Sequence, residues 1–197
     1  MQSSFEPIEE PQEQFSGRLI RITTQRMRKP DGKEVIFEKA ERAPGARILV
    51  TDGSRILLTK EWRGESKSWD YRLPGGKVFD SLDEYLQGVS AGDMQQHAQK
   101  AAQKELVEET TLSLPLESFE FIHHSVCGAT IIWDLYYFLV KLNAEEAKDL
   151  DTVETHEGEQ THPEWFTFDE VKKLCADGMI KEDRTVSVLL RYLLESD

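Results

Sequence analysis

The 197-residue sequence predicts one α/β domain. Three observations predict it: two hairpin patterns open the chain, a helix free of Gly and Pro occupies its middle, and strand and helix patterns alternate toward its C-terminal end. A chain of this length buries roughly 70% of the surface its unfolded form exposes, so one core forms without disulfide or structural zinc.

Residues 1–16 are acidic, contain Pro7 and Pro11 and show no periodicity, so a flexible acidic arm is expected. From Gly17 the pattern alternates: residues 19–23 and 35–37 flank Pro30-Asp31-Gly32-Lys33, a turn signal between two strands. A second hairpin joins residues 46–50 to 55–59 around Thr51-Asp52-Gly53-Ser54. Residues 69–73 form a strand that must yield to loop at Pro74-Gly75-Gly76-Lys77.

Residues 79–93 are ambiguous, with Ser81 able to cap a short helix that Gly88 and Gly92 would break. Residues 93–110 are dense in Ala, Gln, Lys, Glu and Leu and read as a long helix. Residues 119–124 and 131–140 read as strands joined through Cys127-Gly128-Ala129-Thr130, the second one buried on both faces. The polar stretch 143–162 is a long loop, the kind that is functional or mobile. A strand at 165–168, a helix to Ala176 capped by Asp169, and a final helix over 185–194 complete the chain.

With 24 Lys and Arg against 37 Asp and Glu, the net charge of −13 disfavours nucleic acid and anionic lipid as partners. No apolar run approaches the roughly 20 residues of a membrane span, and the acidic N-terminal stretch is unlike a signal peptide. Cys127 and Cys175 are far apart and belong to no CxxC, which fits reduced thiols. A cytoplasmic protein is expected.

Glu105, Glu108 and Glu109 stand at i, i+3 and i+4, hence on one helix face. Like charges at that spacing need solvent, a basic partner or a divalent cation, and Lys104 alone cannot match three acids. An isolated ExxEE is usually a solvated face. Here a Gly-Gly loop precedes it, and carboxylates facing open backbone suit Mg²⁺, which takes oxygen ligands together with waters and substrate phosphates.

Pro74-Gly75-Gly76-Lys77 followed by Lys104-Glu105-Leu106-Val107-Glu108-Glu109-Thr110-Thr111-Leu112 resembles the two ends of a Nudix box, G-x5-E-x7-REUxEExGU with U aliphatic. Lys104 replaces the Arg and Thr111 the Gly. Between Gly76 and Lys104 about 14 extra residues interrupt the pattern, an insertion placed at 79–93 and expected beside the active site. Counting back from Lys104 puts Gln96 where the first Glu belongs, with Asp93 or Glu84 as the acids that serve instead. Outside the box, residues 18–50 are similar to the N-terminal part of ADP-ribose pyrophosphatases and related nucleoside diphosphate sugar hydrolases. Glu61-Trp62-Arg63 resembles their Q-[YF]-R, residues 125–130 loosely match their S-P-G-x-[ST] loop, and 185–194 resemble their last helix.

The resemblance spans residues 17–194 and implies an α/β/α sandwich with a mixed β-sheet plus N-terminal antiparallel strands. It divides the chain into the arm 1–16, a hairpin region 17–45 that builds a homodimer, and a Nudix domain over 46–197. It implies a pyrophosphatase using Mg²⁺, with Mn²⁺ as substitute, held by Glu105, Glu108, Glu109 and the Gly75 carbonyl. The implied general base is Glu159, with Glu157 second and Glu164 third; Arg63 contacts substrate and Glu38 reaches the substrate of a partner subunit.

ADP-ribose, split to AMP and ribose 5-phosphate, is the first substrate implied. GDP-mannose, another sugar nucleotide or a dinucleotide is the alternative, as is a Nudix-like nucleotide-binding module without turnover. The histidines 123, 124, 156 and 162 lack zinc-ligand spacing. Asp134 and Thr130 are candidates to touch a sugar or base, and Trp62 and Trp69 to stack on one, although hydrogen-bonded strand residues and packed aromatics are the ordinary uses of each.

Overall fold

The computed structural model describes residues 5–150 and 161–196. Its centre is a six-stranded sheet of β5 (Gly45–Thr51), β6 (Arg55–Arg63), β7 (Ser68–Arg72), β8 (Glu120–Ser125), β10 (Leu135–Lys141) and β11 (Thr161–Thr167), in the order β11-β6-β5-β10-β8 with β7 also on β6. The pair β5–β10 is parallel and the others are antiparallel, so the sheet is mixed.

Every residue of β5 is buried, because helices cover both faces. Ala46, Ile48 and Val50 join the cluster of Ala98, Ala102 and Leu106 from α2 (Met94–Thr110). Leu49, on the opposite face, packs with Val171 of α4 (Phe168–Ala176) and with Val188, Leu189 and Leu193 of α5 (Asp183–Ser196). A further helix, α3 (Ala144–Leu150), adds Ala147 and Leu150 to the first cluster. These layers make the expected α/β/α sandwich.

The N-terminal sheet joins β1 (Glu6–Pro7), β2 (Gln12–Ser16), β3 (Ile20–Arg28), β4 (Glu34–Arg42) and β9 (Ile131–Ile132). The stretch expected as a free arm is therefore paired over most of its described part. Both β1 and β2 use the open edge of β3, with Phe15 beside Ile22, and Arg26 binds Glu9 at 2.8 Å. Alternation there is hidden by polar residues facing solvent on both sides.

Four other local readings change. The stretch 143–162 expected as a long loop holds the helix α3 at Ala144–Leu150, and its last two residues already belong to β11. The single strand expected over 131–140 is two, because Trp133-Asp134 hands the chain from the N-terminal sheet to the central one. Thr167, not Asp169, caps α4, in a reciprocal box with Glu170. In the inserted segment Ser81 does cap a helix, α1 (Leu82–Ala91), and Gly92 ends it, but Gly88 lies inside: the Phe79 ring occupies the space a Cβ would need.

Candidate active site

The site forms where the central sheet splits. After two paired positions, Val50 with Leu57 and Thr51 with Ile56, β6 leaves β5 and pairs with β7 instead. The chain leaving β7 fills the gap: Pro74 and Gly76 carbonyls accept from the Ile48 and Ala46 amides, each at 2.9 Å. Between them Gly75, at φ 143°, has its amide on Glu109 Oε2 at 3.1 Å. A Cβ on Gly75 would strike the Ala46 carbonyl, and one on Gly76 the Glu105 carboxylate. The two glycines thus let a carboxylate-bearing helix lie directly on the backbone.

Helix α2 is fixed by Ala98, Ala102, Leu106 and Thr110, which repeat every four residues along its buried stripe. Glu105 and Glu109 flank that stripe and line a cavity of about 510 Å³, together with Gly75 and Gly76. Burial, then repulsion from Glu108, raises the Glu105 carboxyl. Burial pushes Glu109 up to about 8, against the Gly75 amide, with Glu105 adding to the rise. Desolvated neighbouring carboxylates of this kind are strained in their charged forms until a cation arrives.

Glu108 turns away to Lys104 at 3.4 Å and does not line the cavity. Thr111, standing at the glycine of the box pattern, keeps a left-handed φ of 60°. Glu84 accepts from the Asp80 amide, Asp93 caps α2, and Gln96 meets Lys100, so none of the three alternatives for the first box acid lines the cavity.

Cationic side chains share the cavity. Arg42, Arg47, Arg63, Arg72 and Lys77 line it together with Glu61 and Glu65, and Arg72 pairs with Asp70 at 2.7 Å and Lys77 with Asp80 at 3.2 Å. Arg63 is held by Glu61 at 3.1 Å, with Glu65 and the buried Asp70 at 3.8 and 3.9 Å. Buried Arg47 makes a bidentate pair with Glu182 at 2.9 and 3.0 Å; burial alone would raise the Glu182 carboxyl, but Arg47 holds it below its ordinary value.

Arg42 lies over Trp133 at 4.7 Å, and Arg184 contacts the same ring at 4.6 Å. Of these, sequence reasoning singled out Arg63 alone. Arg47 left a signal, a charge inside the otherwise apolar run Ala46-Arg47-Ile48-Leu49-Val50, which a buried strand tolerates only for a partner. Arg42 and Arg72 left none, since their place depends on the split of the sheet, and Glu61 was marked only as the first residue of the Glu61-Trp62-Arg63 motif.

Glu157 and Glu159 lie outside the described residues. Glu164 is exposed on β11, opposite Leu58, and Glu38 is exposed on β4, opposite Thr24; neither lines the cavity. Among the described residues no three His, Cys, Asp or Glu groups converge into a side-chain cage for a metal.

A family model for the NUDIX domain matches residues 41–186, from the end of β4 into α5. The chain belongs to the Nudix family. With that membership it is a Nudix pyrophosphatase, a hydrolase of phosphorus-containing anhydrides. Among solved structures, the crystal structure of an ADP compounds hydrolase is similar over 95% of this chain and 93% of its own, with a TM-score of 0.61 and 14% identity. At that identity the likeness is one of fold. No curated protein matches the sequence.

Proposed function

We propose that this Nudix hydrolase splits the diphosphate of a nucleoside diphosphate sugar, with ADP-ribose giving AMP and ribose 5-phosphate. The observation that carries the proposal is the apposition of Glu105 and Glu109 to Gly75-Gly76 in a cavity also lined by five cationic side chains. That pairing of charges fits a metal-assisted reaction on an anion.

The residues present fit Mg²⁺, with Mn²⁺ as substitute: all donors are oxygens, two of them desolvated carboxylates, and among the described residues no backbone hydrogen bond falls on the Gly75 carbonyl. Two carboxylates and one carbonyl are few ligands, as Mg²⁺ prefers when it keeps waters and substrate phosphates. Glu108 joins them by exchanging Lys104 for the cation. When bound, the metal supplies charge to the phosphoryl oxygens and an acidified water. Arg63, with its Nε buried and without a hydrogen-bond partner, offers that donor to the diphosphate. Glu159, or else Glu157 or Glu164, takes the proton of the attacking water.

The N-terminal sheet supports a homodimer. Phe15, Ile20, Ile22, Ile36 and Ile131 are exposed on one face by register. A partner on that face brings Glu38 toward a second subunit's substrate. Cys127 and Cys175 are unpaired, in keeping with the cytoplasm; among the described residues no helix is long and apolar enough to cross a membrane.

Product analysis with and without Mg²⁺ tests the reading, on ADP-ribose, GDP-mannose, UDP-glucose, diadenosine polyphosphates and nucleoside triphosphates. Metal-dependent AMP and ribose 5-phosphate are expected. Stabilisation by ADP-ribose without cleavage would make the chain a binding module, and cleavage of GDP-mannose alone would move the substrate.

A further inference from the structure

The helix built by the insertion does more than lengthen the chain between Gly76 and Lys104. It closes a second, smaller compartment, of about 250 Å³, that shares Arg42 and Pro44 with the catalytic cavity. Tyr85 and Val89 of α1 form one side, one helical turn apart, and Asp134 and Tyr136 form another. Drug-sized ligands occupy roughly 300–1,000 Å³, so this space suits a single ring.

Its walls are held in place from behind. The Tyr85 hydroxyl donates to Glu41 Oε1 at 3.2 Å. The Tyr136 ring lies nearly flat on the His124 imidazole, with centroids 4.5 Å apart, and His124 Nε2 meets Asp134 Oδ2 at 2.7 Å. Among the described residues no hydrogen bond falls on Asp134 Oδ1. At the junction of the two spaces, Arg42 makes no ion pair among the described residues, and its buried Nε has no partner. The chemistry therefore changes across the two spaces: Glu105 and Glu109 line the larger, Arg42 is common to both, and Asp134 lines the smaller together with Tyr85 and Tyr136.

We propose that this compartment receives the terminal sugar of the substrate, so that the inserted helix α1 selects for a single-ring sugar beyond the diphosphate. Arg42 meets the phosphate that passes between the two spaces, Asp134 Oδ1 accepts from sugar hydroxyls, and the C–H faces of the ring rest on Tyr85 and Tyr136. The inference rests on the larger cavity being the diphosphate site, and its test is one of binding, independent of turnover.

The test is calorimetric titration of ADP-ribose and of ADP, which lacks the terminal sugar, in metal-free buffer against wild type, Val89→Trp and Asp134→Asn. Val89 is 50% exposed on its helix, so an indole there fills the compartment from its open side without entering the core. Wild type is expected to bind ADP-ribose at least about tenfold tighter than ADP, a ratio that drops to about threefold or less in both variants. An unchanged ratio in the variants, or a wild type that does not distinguish the ligands, overturns the proposal. Equal weakening of both ligands also overturns it, by placing the nucleoside end in the compartment. Loss of the proposed hydrolysis in wild type strikes only the function reading, since the affinity ratio still decides where the sugar lies.

Discussion

Helices α1 and α2 follow one another with two residues between them, yet they stand in the fold differently. Helix α2 lays Ala98, Ala102 and Leu106 into the main core against β5 and β10, and its two cavity-lining carboxylates flank that stripe. Helix α1 buries Leu82 and Tyr85 in a small satellite with Ala43, Phe79 and Leu86. The carboxylate-bearing half of the box is thus fixed by the same packing that holds the domain together. The interrupted half is carried on a helix with a smaller core of its own, which meets α2 only near its start, at Met94 and His97.

The largest effect expected on this contrast comes from Glu109→Gln, which keeps the volume of the site and removes the charge. Steady-state hydrolysis should fall about 10³-fold, the loss expected when several kcal/mol of metal-derived stabilisation disappear. An activity within tenfold of wild type would break the assignment of α2 as the ligand helix. The same variant has a pH signature in metal-free protein.

With the Glu109 carboxyl at about 8 in the fold and near its ordinary 4.5 unfolded, the folded state holds a proton that the unfolded state releases between those values. Stability should therefore decline as pH rises from about 4.5 to about 8 and level off above, by an amount on the order of a few kcal/mol. Urea unfolding across pH 5.5 to 8.5 should show the decline in wild type and a flatter profile in Glu109→Gln. Added Mg²⁺ should stabilise wild type increasingly over the same range, because the cation requires the carboxylate.

Leu106→Ala tests the anchoring side of the comparison. Leu106 is fully buried between Glu105 and Glu109 in sequence, so truncation should cost about 2–5 kcal/mol in denaturant unfolding. A cost below about 1 kcal/mol would mean that α2 is held by something other than its apolar stripe.

How much of this was legible follows the same division. The helix over 93–110 and its carboxylates at one face could be read because both depend on local spacing, and α2 begins and ends within a residue of that reading. The cavity's cationic side chains could not, because Arg42, Arg47, Arg63 and Arg72 come from four strands that converge only where β6 leaves β5. The break at Trp133-Asp134 left only Asp134 as a mark, a single charge in an otherwise apolar run, which is equally compatible with one continuous strand. Gly88 misled for a related reason: a helix-breaking residue is tolerated when a distant side chain, here Phe79, takes its missing volume.

That last point predicts a reversal of sign. In an exposed helix interior Gly→Ala stabilises by up to about 1 kcal/mol. Gly88→Ala should instead destabilise by about 1–2 kcal/mol, because the new methyl meets the Phe79 ring and the satellite core must move. Adding Phe79→Leu should recover part of the loss in a double-mutant cycle, as expected for groups in contact. Simple additivity of the two changes would detach Phe79 from the explanation.

The smallest expected effect lies at the far end of α2. Thr111 donates its amide to the Val107 carbonyl at 2.9 Å and sits at φ 60°, ψ −1°, where a β-branched side chain is disfavoured by about 1–2 kcal/mol. Its side chain is exposed, so little packing is lost on removing it. Glycine relieves that strain but adds freedom to the unfolded chain, which returns about 0.5–1 kcal/mol. Thr111→Gly should therefore stabilise the protein by about 0.5–1 kcal/mol with no change in hydrolysis, measured by urea unfolding and initial rates. A destabilisation would show that Thr111 contributes an interaction that outweighs its backbone strain. A gain would show that the box's glycine position marks a helix-end conformation, which this chain keeps after losing the residue that adopts it most easily.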